Sequence, residues 1–245
     1  MIDVHSHIIF DVDDGPSCIE QSLRMVKEAD RIGIRTIIAS PHYHEPIFSL
    51  EKVEENYQQL LYASKDYDVK LYLTQEVFVD SMNYIRLNNR QKQNINKAGL
   101  MLFEFPFNAT PRDCINNIYN LKASNIVPVI AHIERNKYFI KDMASVVSLI
   151  KAGCYIQLDA ASIIGVYGVR VKDYSKKLIQ MGLVDMIASN AHCAEDYTNW
   201  FMEAYRNVAR WVGMDAAGML FYYNAKRILE NKGSNVINTY NNITV

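Results

Sequence analysis

Hydrophobic and polar positions along the 245-residue chain form two kinds of segment. Short, nearly continuous apolar runs predict seven strands, at 2–5, 35–40, 69–74, 100–105, 126–131, 154–159 and 184–189. Apolar residues at helical spacing predict helices at 18–32, 50–64, 112–124, 143–152, 171–181, 199–212 and 216–230. Strands that alternate with helices predict a parallel sheet, and strands that are apolar on both faces favour an α/β barrel.

Two short signals mark the first helix. Ser17 and Glu20 have the spacing of a capping box, which predicts that the helix begins beside them. Gly33 follows the last apolar position, where a glycine commonly ends a helix. In α/β barrels the chemistry lies at the carboxyl ends of the strands, so polar residues there are the first candidates for a functional site.

Composition and charge exclude some classes of function. The formal net charge of −1 provides no field for holding nucleic acid or an anionic membrane. The four cysteines, Cys18, Cys114, Cys154 and Cys193, are scattered and match neither a disulfide framework nor a zinc-thiolate site. We therefore expect reduced thiols and a cytoplasmic protein, without a signal peptide or membrane insertion. We expect residues 1–245 to form one domain, with a polar, Asn-rich tail from about residue 231.

His5 and His7 are the first candidates for metal binding. Residues two apart on a strand point to the same face, so the two imidazoles are expected to project together from the end of the first strand. Such a pair suits a divalent transition metal. The acidic loop at 11–14 follows at once and offers oxygen ligands. An isolated pair of this kind is also compatible with two exposed histidines near a terminus, so further ligands are needed.

Other polar residues supply those ligands at the ends of the later predicted strands. They are Asp14, His42, Glu76, Glu104, His132, Asn190 and His192. Five of the six histidines of the chain lie in such positions. This set exceeds what one ion needs, which indicates two or three divalent ions bridged by a carboxylate such as Glu104. Mixed nitrogen and oxygen ligands suit manganese, iron, cobalt or zinc, with magnesium as a further alternative.

Six motifs, in chain order, resemble those of the polymerase-and-histidinol-phosphatase (PHP) superfamily. They are MIDVHSHIIFDVDDGP, RTIIASPH, QEV, LFEFPF, PVIAHIERN and IASNAH. The closer resemblance is to bacterial manganese-dependent protein tyrosine phosphatases of capsule and exopolysaccharide operons. It extends from Met1 to about Ile228.

The resemblance implies a distorted (β/α)7 barrel with a trinuclear metal site. The ligands it implies are His5, His7, Asp14, His42, Glu76, Glu104, His132, Asn190 and His192. It also implies a phosphotyrosine substrate, typically on a tyrosine autokinase that controls polysaccharide export. Arg135, three residues after His132, is the natural bidentate clamp for the phosphate, although a surface salt bridge is the alternative. Arg135 and Asp14 are thus the candidate catalytic residues.

The chain departs from the family pattern at two places. Asn190 stands where the family usually has Asp in a D-x-H motif, and a neutral amide should hold one metal less tightly. The family often has a second phosphate-binding Arg in the loop after this motif. Here the loop at 193–197 has none, and the next arginine is Arg206, in a predicted helix.

Two other functions stay open. One is a PHP phosphoesterase that acts on a small phosphate monoester such as histidinol phosphate. The other is a metal-poor relative, impaired by Asn190, that only binds its kinase. A rim formed by Tyr43, Phe48, Phe107 and Tyr197 would favour a phenyl ring as substrate. His44 is predicted at the rim of the site or in solvent.

The spacing of Cys18 and Arg24 matches the C-x5-R pattern of cysteine-dependent tyrosine phosphatases. The intervening residues include no glycine and lie in a predicted helix. A helix cannot wrap its amides around a phosphate, so we reject this second kind of phosphatase site. Cys193, beside His192, is expected to have no role in the chemistry.

Overall fold

The computed structural model describes residues 1–43, 49–79, 99–121 and 127–231. The strands are β1 Ile2–Ser6, β2 Thr36–Ala39, β3 His42–Tyr43, β4 Lys70–Leu73, β5 Glu76–Phe78, β6 Leu100–Glu104, β7 Val127–Ile130, β8 Tyr155–Asp159 and β9 Met186–Ala188. The helices are α1 Ile19–Arg31, α2 Leu50–Ala63, α3 Pro111–Leu121, α4 Met143–Lys151, α5 Ala160–Ile164, α6 Val169–Gln180, α7 Ala194–Asp196, α8 Met202–Val212, α9 Met214–Gly218 and α10 Asn224–Asn231. In the described ranges a helix follows β1, β3, β6, β7, β8 and β9, as the predicted alternation requires, whereas β2 and β4 are each followed directly by another strand.

The strands pair in parallel and form two sheets. One sheet has the order β1-β2-β4, and the other has the order β3-β5-β6-β7-β8-β9. Two of the predicted strands are each followed at once by a short additional strand that belongs to the other sheet. The strand predicted at 35–40 ends at Ala39 and the chain resumes as β3, while the strand predicted at 69–74 ends at Leu73 and resumes as β5. Pro41, which has no N–H group to donate, lies in the first break.

Hydrogen bonds carry the ladder across these breaks. The Thr74 N–H donates to the Ala39 carbonyl at 2.8 Å, and the Glu76 N–H donates to the Pro41 carbonyl at 3.0 Å. The Thr74 hydroxyl donates to the Leu100 carbonyl at 2.6 Å. The two sheets are thus adjoining parts of one curved surface.

Hydrogen bonds join the residues that follow β9, the last strand of the second sheet, to the end of β1. The Asn190 N–H donates to the His5 carbonyl, and the His7 N–H donates to the Ala191 carbonyl, both at 2.9 Å. The buried Asp3 carboxylate accepts the Ser189 N–H at 2.9 Å and the Ser189 hydroxyl at 2.6 Å. The predicted distorted barrel is therefore confirmed.

Alternate side chains along the strands pack into two separate clusters, so both faces of the strands are buried. Met101 and Phe103 of β6 belong to the larger cluster, which includes residues of the surrounding helices. Leu100 and Leu102 of the same strand belong to the smaller cluster, which Ala225 of α10 also joins. Burial on both faces explains the nearly continuous apolar runs in the sequence.

Three predictions about helices were wrong. Cys18, not Ser17, precedes α1, so the third helical residue is Gln21 and not Glu20. The Ser17 N–H accordingly donates to Gln21 Oε1, at 2.9 Å, in place of the predicted contact with Glu20. The sequence did not predict α5, which is too short to show a helical period. The helix predicted from Asn199 already begins at Ala194 and continues through a π-helical turn at Tyr197–Phe201.

Two expectations about the first helix are confirmed. Gly33 follows α1 with a φ of +85°. The chain from Cys18 to Arg24 forms the start of α1, so its C-x5-R spacing belongs to a helix. All four cysteines are free. No helix in the described ranges combines the length and the apolar character needed to cross a membrane.

Asp185 is a buried carboxylate with a single neutral donor, next to β9. Its Oδ2 accepts the Ile156 N–H at 2.8 Å. Burial raises the pKa of Asp185 from its usual 3.8 to about 7. Between these pH values the folded chain holds a proton on Asp185 that the unfolded chain releases, so this group makes the fold less stable as pH rises.

The substitution Asp185→Asn removes this ionisation but keeps an oxygen acceptor for the Ile156 N–H. The free energy of unfolding of the Asp185→Asn protein should therefore increase relative to that of the unsubstituted chain as pH rises. From pH 5 to pH 8 the difference should change by roughly 2–3 kcal/mol, since each unit of pKa shift is worth about 1.4 kcal/mol. Urea unfolding of both proteins across that range measures it. A difference that does not change with pH would contradict the prediction.

Candidate metal centre

The residues that the sequence predicts as ligands all lie at strand ends or in the loops after them. His5 is in β1, His7 and Asp14 follow β1, His42 opens β3, Glu76 opens β5, Glu104 ends β6, His132 follows β7, and Asn190 and His192 follow β9. The structure brings them to one end of the barrel. The short strands β3 and β5 were not predicted, so His42 and Glu76 begin strands where the sequence suggested that they end them.

The Glu76 carboxylate lies at the middle of this group and is almost fully buried. Its Oε2 is 3.3 Å from His5 Nε2, 3.4 Å from His7 Nε2 and 3.1 Å from His42 Nδ1. Its Oε1 is 2.9 Å from His132 Nε2. The sequence suggested a carboxylate such as Glu104 as the bridge between ions, which stays a prediction; Glu104 Oε1 lies 3.9 Å from His132 Nε2. Glu76 has the central position.

Hydrogen bonds orient three of the imidazoles through Nδ1. These contacts are His5 to Gln157 Oε1 at 3.2 Å, His7 to Asp13 Oδ2 at 2.8 Å and His192 to the Asn190 carbonyl at 2.9 Å. Because the partners are acceptors, Nδ1 carries the proton and Nε2 is left to bind another group. The Nε2 atoms of His5 and His7 lie 3.2 Å apart and face the same carboxylate oxygen. Lone pairs facing one another in this way require a cation between them, so the donor set fits a divalent transition metal.

Three overlapping groups of side chains can hold metal ions. In each group the candidate ligand atoms lie within 4.8 Å of one another. The groups are His7 with Asp14, His42 and His192; His5 with His7 and Glu76; and His42 with Glu76 and Glu104. Shared members link the groups, so ions held in neighbouring groups would share ligands.

The two adjacent aspartates of the first loop have different positions. Asp14 is 65 % exposed, but its Oδ1 lies 3.2 Å from His192 Nε2 and 3.6 Å from His42 Nε2. Its hydrogen bond to His192 holds the pKa of Asp14 well below its usual value. An ionised carboxylate in this position suits a metal ligand better than a proton donor.

Asp13 supports the loop from within. Its Oδ2 accepts the His42 N–H at 3.1 Å in addition to the His7 imidazole, and its Oδ1 accepts the Gly15 N–H at 3.0 Å. A Cβ on Gly15 would lie 2.1 Å from the His7 carbonyl, so only glycine allows this approach. The sequence showed an acidic loop but did not separate the role of Asp13 from that of Asp14.

Protons occupy the cluster when no metal does. Burial alone would lower the pKa of His7, but the carboxylates of Asp13 and Glu76 outweigh burial and raise it to about 10. Burial is likewise outweighed at His132, where Asp159 and Glu76 raise the pKa to about 9. The surrounding imidazoles hold the pKa of Glu76 well below its usual value despite its burial. Metal binding must therefore displace protons from the histidines.

Comparisons with known proteins decide the family. A family model described as capsular polysaccharide synthesis, CpsB/CapC, matches residues 1–230. The chain belongs to the CpsB/CapC family. A putative tyrosine-protein phosphatase CapC from Staphylococcus aureus is 33% identical over 196 residues, which cover 78% of this chain and 77% of the relative. The tyrosine-protein phosphatase YwqE from Bacillus subtilis is 32% identical over 236 residues, covering 95% and 92%.

The fold agrees with this assignment. The chain is similar to a solved structure from work on YwqE of Bacillus subtilis and CpsB of Streptococcus pneumoniae, described as metal-dependent tyrosine phosphatases. The TM-score is 0.84 at 31% identity, and the match covers 94% of this chain and 95% of the other. The chain therefore shares its overall fold with that structure.

Arg135, the predicted phosphate clamp, lies on the turn after β7 beside this centre. Its guanidinium carbon is 4.5 Å from the centre of the Tyr167 ring and 4.9 Å from that of the Phe107 ring. Its Nη1 is 3.4 Å from Asp159 Oδ2. Asp159 is completely buried, so this contact is not the surface salt bridge considered as the alternative. One of five N–H donors is used in this bond, which leaves others for an anion.

The predicted aromatic rim was largely wrong. Tyr43 and Tyr197 are completely buried, and the Tyr197 hydroxyl donates to Asp3 at 2.9 Å beneath the site. Phe107 is 48 % exposed and Tyr167, which the sequence did not single out, is 38 % exposed. Phe48 and His44 lie outside the described residues. Neighbourhood in sequence did not show which aromatic rings face solvent.

The positions of two arginines bear on the missing second phosphate ligand of the CpsB/CapC site. Arg206 lies on α8, as predicted, where it forms an exposed ion pair with Glu203 at 3.3 Å. Arg24 of α1 instead lines a cavity of about 200 Å³ together with His192 and Cys193. Arg24 is therefore a cation on the wall of a cavity that the proposed ligand His192 also lines.

The sequence also missed the buried acids behind the ligands. Glu134 Oε1 accepts the Asp159 N–H at 2.9 Å, and burial together with the Asp159 charge raises the pKa of Glu134 to about 7. Asp159 has a lowered pKa, because His132 and Arg135 outweigh its burial. A carboxylate at the end of β8 was the signal that could have found Asp159, since the other ligands were found by the same rule.

The central position of Glu76 generates a prediction about metal-dependent stability. Mn²⁺ added to metal-stripped protein should raise the melting temperature by roughly 5–10 °C at a concentration about 100 times the dissociation constant. Glu76→Gln should lose most of that rise, because the amide cannot supply the anionic oxygens around which the imidazoles are arranged. Differential scanning calorimetry with and without metal measures both values.

Glu51→Gln, on the exposed face of α2, is the matched control and should respond to Mn²⁺ like the unsubstituted chain. An equal metal-induced rise in the Glu76→Gln protein would show that Glu76 does not hold the ion.

Proposed function

We propose that this chain is a divalent-metal-dependent protein tyrosine phosphatase. Its substrate is a phosphotyrosine-bearing protein, specifically a bacterial tyrosine autokinase that regulates capsule or exopolysaccharide synthesis. The observation that carries the proposal is the convergence of the predicted ligands around Glu76 in a chain of the CpsB/CapC family. The relatives named tyrosine-protein phosphatases support the choice of substrate class.

We assign the metal ligands as His5, His7, Asp14, His42, Glu76, Glu104, His132, Asn190 and His192. Three overlapping groups support two to three ions, and the nitrogen and oxygen donors favour manganese. When bound, divalent ions at such a centre neutralise phosphoryl charge and acidify water at neutral pH.

The protein itself positions the phosphate. Arg135 is held from below by Asp159 and on its flanks by Phe107 and Tyr167, so its planar guanidinium is pre-oriented for bidentate contact with phosphoryl oxygens. The exposed faces of the two rings offer apolar contact to a phenyl group. Arg24 adds positive charge on the opposite side, beside His192. These features suit an aromatic phosphate monoester at the mouth of the centre.

The choice of substrate is tested by comparing kcat/KM for a phosphotyrosine peptide and for histidinol phosphate with the Mn²⁺-loaded protein. The peptide should be the better substrate, because its ring can contact Phe107 and Tyr167 while the flanking chain reaches the cavity beside Arg24. Preference for histidinol phosphate would identify a small-molecule phosphoesterase instead. Inactivity on both, with metal bound, would favour a protein that binds its kinase without dephosphorylating it.

Arg135→Lys tests the clamp. A lysine keeps the charge but loses the paired donors and the stacking, so kcat/KM for the phosphotyrosine peptide should fall about 10–100-fold, the equivalent of a charged hydrogen bond. Arg210→Lys, on the exposed surface of α8, is the matched control and should keep full activity. Unchanged kcat/KM in the Arg135→Lys protein would remove Arg135 from the site.

A further inference from the structure

Asp159 is a buried carboxylate that no ligand assignment uses. It ends β8, which pairs in parallel with β9, and Asn190 lies two residues beyond β9. Asp159 Oδ2 accepts from Asn190 Nδ2 at 3.2 Å as well as from Arg135, and Oδ1 accepts from Gln157 Nε2 at 3.0 Å. An anion removed from water in this way normally has a function or a charged partner.

The contact with Asp159 fixes the orientation of the Asn190 amide. A carboxylate accepts only from the NH₂ end of an amide, so Nδ2 faces Asp159 and Oδ1 faces the other way. Oδ1 is buried and accepts no hydrogen bond from the described residues. The oxygen is the atom of an amide that binds a cation, and a buried oxygen without a donor fits one.

The backbone of Asn190 ties this amide to the proposed ligands. Its N–H donates to the His5 carbonyl, and its own carbonyl accepts from His192 Nδ1, both at 2.9 Å. Asn190 is therefore held between two histidines of the centre while its side chain contacts Asp159. Asp159 is thus linked to the centre through the Asn190 amide, and also through the Gln157 amide, whose Oε1 accepts from His5 Nδ1.

We propose that positions 159 and 190 share one negative charge, so that Asn190 binds a metal through Oδ1 while Asp159 supplies the anion that Asn190 lacks. The hydrogen bond from Nδ2 to a carboxylate draws electron density towards Oδ1 and makes it a stronger ligand, as a carboxylate does for a metal-bound histidine. The inference rests on the proposed metal centre. It explains how an amide can replace the usual aspartate without removing the negative charge from this region.

The shared charge predicts different Mn²⁺ affinities for the two single substitutions and for the two combined. Asp159→Asn leaves two amides and no anion, so the apparent affinity for Mn²⁺ should fall about 10–100-fold, as for other residues that orient metal ligands. Asn190→Asp places two carboxylates in contact in a buried position, where like charges oppose each other, so it should bind Mn²⁺ no better than the unsubstituted chain. The exchange Asp159→Asn with Asn190→Asp restores one anion and one amide.

In the exchanged protein, the amide oxygen at position 159 would still accept from Gln157 Nε2, while the NH₂ group of that amide donates to the carboxylate at position 190. Mn²⁺ affinity should therefore return to within about tenfold of the unsubstituted chain, a coupling that two independent substitutions would not show. The measurement is competition with a chelating indicator on metal-stripped protein, with no phosphate or substrate present. Metal content after dialysis gives the number of ions retained.

Asp215→Asn, on the exposed surface of α9, is the matched control and should bind Mn²⁺ normally. The melting temperature of each metal-free protein separates folding from binding. Normal affinity in the Asp159→Asn protein would overturn the inference. So would an exchanged protein that regains its melting temperature but binds no better than Asp159→Asn.

The same proteins separate this inference from the proposed function. If the exchange restores Mn²⁺ affinity but no form hydrolyses phosphotyrosine, the shared charge stands and the phosphatase assignment fails. If the unsubstituted chain is an active phosphatase and Asp159→Asn binds Mn²⁺ normally, the phosphatase assignment stands and the shared charge fails.

Discussion

The contact on which the centre depends is the Glu76 carboxylate with the imidazoles around it. A carboxylate this deeply buried would hold a proton if burial acted alone, and the neighbouring positive charge is what keeps it ionised. Each imidazole needs its own partner in turn, which extends the requirement to Gln157 and Asp13. The polar end of the barrel is thus one connected network. Removing a member leaves a buried charge without compensation, which costs more than the lost contact itself.

The breaks in two strands of the barrel determine where His42 and Glu76 of this network lie. The breaks after Ala39 and Leu73 coincide, because these two residues are partners in the pairing of β2 with β4. When the chain resumes, His42 becomes the partner of Glu76 in the pairing of β3 with β5. Side chains alternate between the faces of a strand, so in an uninterrupted strand the positions of His42 and Glu76 alone would fix the face on which each side chain lies. Interrupting both strands at the same level lets the two side chains meet.

The parts of the structure that could be predicted from sequence are those that local pattern controls. Apolar runs and helical periods indicated the strands and helices, and the rule that function lies at strand ends placed the candidate ligands. The sequence did not show that Glu76 is the carboxylate at the middle of the imidazoles, because that position depends on where the strands break. Tyr43 and Tyr197 were misplaced on a rim because their burial is decided by long-range packing. Asp159 also ends a strand, but it was missed because Arg135 and Asn190, the contacts that link it to the site, lie far from it in the chain.

The backbone at two of the strand ends also explains why position 190 tolerates either an amide or an acid. His132 and Asn190 have φ values of 33° and 50°, in the left-handed region where most residues are strained by roughly 1–3 kcal/mol. At both positions the backbone N–H is used, by Gln157 Oε1 for His132 and by the His5 carbonyl for Asn190. Asparagine and aspartate both enter this region more readily than other side chains. Backbone geometry therefore favours asparagine or aspartate at position 190, and we infer that the choice between them depends on the charge of its neighbour at the end of β8.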